Sequence, residues 1–152
     1  PRFEGKYVSF KDIVMEPKPL QKPYPPIFIG GNTEIAMKRA VRLGDGWIPW
    51  LITTDRLREC VAFMSGQPGW EQKKDRFEIV MPTTEYKVED YSHSEKGDTR
   101  IELDRDTILF ELEALQEAGT TVAQVMTPPV RAVDECLDWI EWYDSDIIPN
   151  FR

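Results

Sequence analysis

The stretch Pro25-Pro26-Ile27-Phe28-Ile29-Gly30-Gly31-Asn32-Thr33 decides how this chain folds. Ile27-Phe28-Ile29 is a short continuous apolar run, the pattern of a strand buried on both faces. The glycine pair then turns the chain. Residues 33–43 follow with Ala36, Met37, Ala40, Val41 and Leu43 on one helical face and Lys38, Arg39 and Arg42 on the other. Gly44 stops the helix, and Gly46-Trp47-Ile48-Pro49-Trp50-Leu51 begins a second strand, with Pro49 at its end. Strand, glycine turn and helix N-terminus together place backbone N–H groups and the positive end of a helix dipole at a strand's C-terminal end. That is a site for a phosphate.

The same rhythm continues downstream. Leu57, Cys60, Val61 and Met64 have i, i+3, i+4, i+7 spacing, with Thr54-Asp55 as the cap and Gly66 as the stop. Phe77–Met81 reads as a third strand, and residues 89–100 as a polar loop. Asp106-Thr107 opens a helix that aligns Ile108, Leu112 and Leu115 and ends at Gly119. Thr121–Met126 is a fourth strand, broken by Pro128-Pro129. The last helix carries Val133, Cys136, Leu137 and Ile140 on one face, expected to be its buried face.

Upstream lie two extended segments, Lys6–Phe10 and Ile13–Met15, with Lys11-Asp12 as the turn of a small hairpin. Pro17, Pro19, Pro23, Pro25 and Pro26 then make a stiff extended connector. The expected domains are a hairpin and Pro-rich connector over 1–24 and an α/β unit over 25–152.

Beyond the hairpin the order is β-α-β-α-β-α-β-α, the pattern of a parallel sheet with right-handed crossovers. Two architectures fit it: a doubly wound open sheet, or part of a (β/α)8 barrel. A complete barrel takes about 250 residues, so on the second reading a chain of 152 is about half of one.

Hydrophobic content of 41% and charged content of 30% are ordinary for a soluble globular chain that can bury a core. The formal net charge of −8, from 27 acidic against 19 basic residues, argues against nucleic acid or an anionic membrane as partner. No run approaches the ~20 apolar residues of a membrane span, and no signal peptide is visible. The chain starts at Pro1 rather than Met, which suggests a processed, excised or incomplete chain. Cys60 and Cys136 read as reduced thiols of a cytoplasmic protein. The single histidine, His93, sits in a polar run, so neither a His-based metal site nor a catalytic triad has support, and no metal is expected. Glu111-Leu112-Glu113 and Asp134-Glu135 read as solvated helix faces, and Asp45 as a turn and capping carboxylate.

An ordered series of motifs carries a resemblance. It comprises Phe3-Glu4-Gly5-Lys6-Tyr7-Val8-Ser9-Phe10, Glu16-Pro17-Lys18-Pro19-Leu20-Gln21, Pro25–Gly31, Arg39–Pro49, Pro128-Pro129-Val130-Arg131 and Ile147–Arg152. The series resembles the luciferase-like monooxygenase superfamily, in particular its coenzyme F420-dependent oxidoreductases. It covers essentially the whole chain but only the C-terminal half of the family's barrel. The resemblance implies four βα units of a (β/α)8 TIM barrel, with Ile27–Ile29 as strand five and Thr121–Met126 as strand eight. It also implies F420 or FMN at the C-terminal ends of the strands.

By the same resemblance, Gly30 and Gly31 lie against the cofactor's phosphate or the chain next to it. Asn32 and Thr33 add donors where the helix begins. Trp47 and Trp50 fall where the family lines its pocket; for both, core packing remains an equal reading. Arg131, after the eighth strand, is a further phosphate candidate, with a surface role as its alternative. The catalytic acid or base is unknown and is expected in the missing N-terminal half-barrel.

The expected function is that of a fragment of a flavin- or deazaflavin-dependent oxidoreductase acting on a small organic substrate. The alternative is a non-catalytic half-barrel that associates with a partner, or with itself as a homo-oligomer, through open sheet edges. A phosphosugar-binding barrel enzyme is a third reading, opposed by the proline-rich lead-in and the Gly44–Trp47 run.

Overall fold

The computed structural model describes residues 1–14, 16–83, 105–125 and 132–151. Two antiparallel strands come first, β1 (Arg2–Glu4) and β2 (Ser9–Lys11). Four βα units follow: β3 (Phe28–Gly30) with α1 (Glu34–Leu43), β4 (Gly46–Ile48) with α2 (Thr54–Ser65), β5 (Glu78–Pro82) with α3 (Arg105–Glu117), and β6 (Val122–Gln124) with α4 (Val133–Asp146). A terminal 3-10 turn spans Ile148–Phe151.

The strands β3 to β6 form one parallel sheet in chain order. Register explains which side chains meet. Ile29 pairs with Trp47, Trp47 with Ile79, and Met81 with Ala123. Strand side chains alternate, so these residues share one face of the sheet. All of them join the core with residues of the helices. Met37, Ala40 and Val41 of α1, Leu57, Cys60 and Met64 of α2, and Leu115 of α3 close over Trp47, Ile79 and Met81. Ile108 and Leu112 of α3 with Tyr143 of α4 close over Ala123 and Val125.

The other face carries Phe28, Ile48, Val80, Pro82 and Val122, placed by the same alternation. Ile48 and Val122 are exposed. Among the described residues no helix packs on this side. A parallel sheet is stable when covered on both faces; among the described residues this one is covered on one. The arrangement is four consecutive βα units with an uncovered apolar inner face, half of a (β/α)8 barrel.

Local chemistry accounts for the boundaries. Thr33 caps α1, its hydroxyl accepting from the Ala36 amide at 3.2 Å, and the Gly44 amide donates to the Ala40 carbonyl at the other end. The cap of α2 is Thr53, one residue before the Thr54-Asp55 pair expected from the pattern; its hydroxyl accepts from the Arg56 amide. Asp45 is a turn residue. Its carboxylate accepts from the Ile27 amide at 2.9 Å, and its own amide donates to the Ile27 carbonyl.

Two expectations are corrected. The hairpin pairs Arg2–Glu4 with Ser9–Lys11, not Lys6–Phe10 with Ile13–Met15. The turn is closed by the Gly5 amide donating to the Val8 carbonyl, and Phe3 stacks on Phe10 with ring centroids 5.7 Å apart. In α4, the stripe Val133, Leu137 and Ile140 is exposed rather than buried, and Cys136 is half-buried. The helix buries Tyr143 instead, with Trp139 and Trp142 packed beside it. Met15, the 89–100 loop with His93, Pro128-Pro129 and Arg131 lie outside the described residues.

Candidate cofactor site

The C-terminal end of β3 gathers the candidate residues. Gly31 has φ +112, a conformation that disfavours any side chain, and a Cβ there would lie 3.3 Å from the Ala36 Cβ. Its amide donates to the Ile48 carbonyl at 3.2 Å, and its carbonyl accepts from Trp47 Nε1 at 2.8 Å. The turn is thus fixed from both sides by β4.

Gly30 differs. It has no positive φ, and the nearest atom to an added Cβ is the Ile48 carbonyl oxygen at 3.9 Å, an ordinary contact. Nothing within the described chain requires glycine at position 30. The residue is exposed, on the uncovered inner face, at the strand's C-terminal end. A missing Cβ beside open space leaves backbone that a ligand can approach closely.

Asn32 spends its side chain on structure. Its Oδ1 accepts from the Trp50 amide at 2.7 Å, and its Nδ2 donates to the Trp50 carbonyl. The carboxamide therefore holds both main-chain groups of one residue and extends the β3–β4 pairing past the strand ends. Thr33 commits its hydroxyl oxygen as an acceptor to the cap. The amides of Glu34 and Ile35, at the start of α1, have no carbonyl one turn earlier to reach. They add donors and the positive end of the dipole. Glu34 is drawn to Lys38, whose Nζ lies 3.3 Å from its carboxylate.

The two tryptophans separate. Trp47 is wholly buried, 0% exposed, on the helix side of the sheet. Its contribution to the site runs through its bond to Gly31. Trp50 is 68% exposed and stands just beyond β4, with its backbone clamped by Asn32. Leu51 follows at φ +45, an uncommon conformation for a leucine. Sequence reasoning missed Leu51, since nothing in a leucine announces positive φ. It also missed Ile48, the pairing partner of Gly30, which alternation could have placed on the same face.

Gly30, Gly31, Asn32, Thr33 and Trp50 are therefore brought together at one edge of the half-barrel's mouth, with Trp47 behind them. Among the described residues no cluster of three or more His, Cys, Asp or Glu residues is arranged to hold a metal ion. No helix among them is long and apolar enough to cross a membrane.

The sequence profile of luciferase-like monooxygenases matches residues 1–84, more than half of the chain. The chain belongs to the luciferase-like monooxygenase family. The match covers the hairpin, the connector and the whole glycine-turn site. An FMNH(2)-dependent dimethylsulfone monooxygenase of Pseudomonas putida is 44% identical over 43 residues, 28% of this chain and 12% of that protein. A solved coenzyme F420-dependent tetrahydromethanopterin reductase from Methanopyrus kandleri superposes with a TM-score of 0.66. The superposition covers 99% of this luciferase-like chain and 58% of the reductase, at 17% identity, a likeness of fold. The chain thus spans about an eighth of the first relative's length and somewhat over half of the second's.

Proposed function

We propose that this luciferase-like chain forms the C-terminal half of an F420- or FMN-dependent oxidoreductase and holds the phosphate end of the cofactor. The observation that carries the reading is Gly30. It is a glycine with no steric or conformational reason among the described residues, at the mouth end of a strand and beside a helix N-terminus. The amides of Gly30, Glu34 and Ile35 supply donors, and the bond from Trp47 keeps the turn in position. Family membership supports the oxidoreductase class. The relative that uses FMNH(2) and the fold neighbour that uses F420 support a flavin-type cofactor.

When bound, such a cofactor would supply the redox chemistry, and the protein would position it and exclude water. Ile48, Trp50 and Val80 would form apolar wall beside the phosphate end. Among the described residues of the site no side chain stands out as a general acid or base. We assign that role, with most of the substrate pocket, to a complementary N-terminal half-barrel, and the substrate to a small organic molecule. The uncovered face with Phe28, Ile48 and Val122, and the exposed stripe Val133, Leu137 and Ile140, would meet that half. The same surfaces support the second reading, a half-barrel that associates with itself.

FMN and riboflavin differ by the phosphate alone, which makes equilibrium dialysis of both against the purified chain a direct test. Tighter binding of FMN, lost when Gly30 is replaced by Val, is expected. Equal retention of the two would remove the phosphate-end assignment. A tight oligomer indifferent to both would favour the second reading.

A further inference from the structure

Four of the five tryptophans, Trp47, Trp70, Trp139 and Trp142, belong to the two core clusters or pack against them. Trp50 does neither, and it is 68% exposed. Tryptophan is highly buried on average. Among the described residues the Trp50 indole has no ring, cation or hydrogen-bond partner. A large apolar side chain is thus left bare at the mouth of the half-barrel.

The backbone beneath that side chain is fixed. The Ile48 carbonyl accepts from the Gly31 amide, so the main chain of Ile48 is turned toward β3. Two residues on, the amide and carbonyl of Trp50 are turned the same way, onto the Asn32 carboxamide. Residues two apart in an extended chain, with the same neighbour on their hydrogen-bonding edge, carry their side chains on one face. Trp50 therefore shares the uncovered inner face with Ile48, one step nearer the mouth. A rigid aromatic on a clamped backbone loses little freedom when a ligand lies against it. At ~4.8 Å between strands and ~3.3 Å per residue along one, positions 30 and 50 lie roughly 8 Å apart. The five-carbon ribityl chain of a flavin can cover that distance.

We propose that the Trp50 indole is a stacking platform for the flat tricyclic ring of the flavin-type cofactor, with Asn32 as the residue that positions it. The assignment rests on the reading of Gly30 as the phosphate contact and adds the ring end of the same molecule. The indole is electron-rich and the flavin ring electron-poor, so the two faces attract, and their contact removes apolar surface from water. Asn32 then serves the ring end through the Trp50 backbone, and the glycine turn serves the phosphate end.

The test titrates lumiflavin, the flavin ring without ribityl or phosphate, with the chain while following flavin fluorescence. Stacking on an indole quenches that fluorescence, and saturable quenching by the wild-type chain is expected. Trp50→Leu, at an exposed position, should weaken binding about tenfold, the value of one aromatic stack. Trp50→Phe should recover most of the affinity without the quenching, which a merely structural role would not produce. Asn32→Ala should bind more weakly than the wild type with the indole still present. Gly30→Val should leave lumiflavin binding unchanged, because lumiflavin has no phosphate. Equal retention of FMN and riboflavin would therefore remove the phosphate-end reading and leave the lumiflavin result standing. Absence of saturable quenching by the wild-type chain would overturn the proposal, as would undiminished affinity in Trp50→Leu.

Discussion

Trp47 Nε1 donates to the Gly31 carbonyl across 2.8 Å, so a core side chain directly fixes the turn at the mouth of the half-barrel. Core packing and site geometry are the same object here. Trp47→Phe keeps most of the apolar contact but leaves the Gly31 carbonyl unpartnered. The expected cost is about 1–3 kcal/mol of stability, read from urea denaturation. The same variant should bind FMN more weakly than the wild-type chain at urea concentrations where both remain folded.

The adjacent glycines should respond in opposite ways. Gly31→Ala forces a side chain into φ +112 and against Ala36, and should lose about 1 kcal/mol or more. Gly30→Ala meets only an ordinary contact, and a stability change within about 0.5 kcal/mol is expected. Thermal and urea unfolding of the pair checks this. Equal destabilisation would mean that position 30 is structurally constrained after all.

Asn32 bridges the chain after β3 to the chain after β4 by two bonds to Trp50. Asn32→Ala removes both and should cost about 1–2 kcal/mol. Asn32→Asp should do at least as much harm, because a carboxylate has no donor for the Trp50 carbonyl. In both variants the fluorescence of exposed Trp50 should become more readily quenched by iodide. Unchanged quenching would show that the clamp does not hold Trp50.

Burial pushes the Cys60 thiol above its ordinary pKa; Arg56 pulls it down and Glu59 pushes it up, both more weakly. The thiolate is therefore favoured by unfolding. The contribution to stability is complete below the ordinary thiol pKa and is lost as pH rises through that range toward the folded value. A disulfide reagent at mildly alkaline pH should modify half-buried Cys136 first and Cys60 only as fast as the protein opens. Rapid modification of both thiols in the folded chain would contradict the burial of Cys60 in the core.

Much of this was legible in the sequence. The period of α1 and α2, the strand runs around Phe28, Trp47 and Ile79, and the stops at Gly44 and Gly66 stood out because burial on one side and glycine chemistry leave local marks. The glycine turn was legible for the same reason. Where the pattern misled, the cause was tertiary. The stripe Val133, Leu137 and Ile140 has a buried helix's spacing but no helix or strand among the described residues to face, while the bulk of Trp139, Trp142 and Tyr143 wins the core. The strand at Arg2–Glu4 carries only Phe3 as an apolar signal, and its pairing depends on Phe10 across the turn. That Asn32 grips Trp50, and that the Gly31 turn hangs from Trp47, are long-range relations with no local trace.

The central claim is that the glycine turn after β3 receives the phosphate of a flavin-type cofactor. The most direct measurement is an amide NMR titration of the chain with FMN, in the wild type and in Gly30→Val. The account predicts shifts concentrated at Gly30, Gly31 and the first turn of α1, Glu34 and Ile35, and their loss in the valine variant with the fold intact. Shifts centred elsewhere on the sheet, or an undiminished response in Gly30→Val, would contradict it.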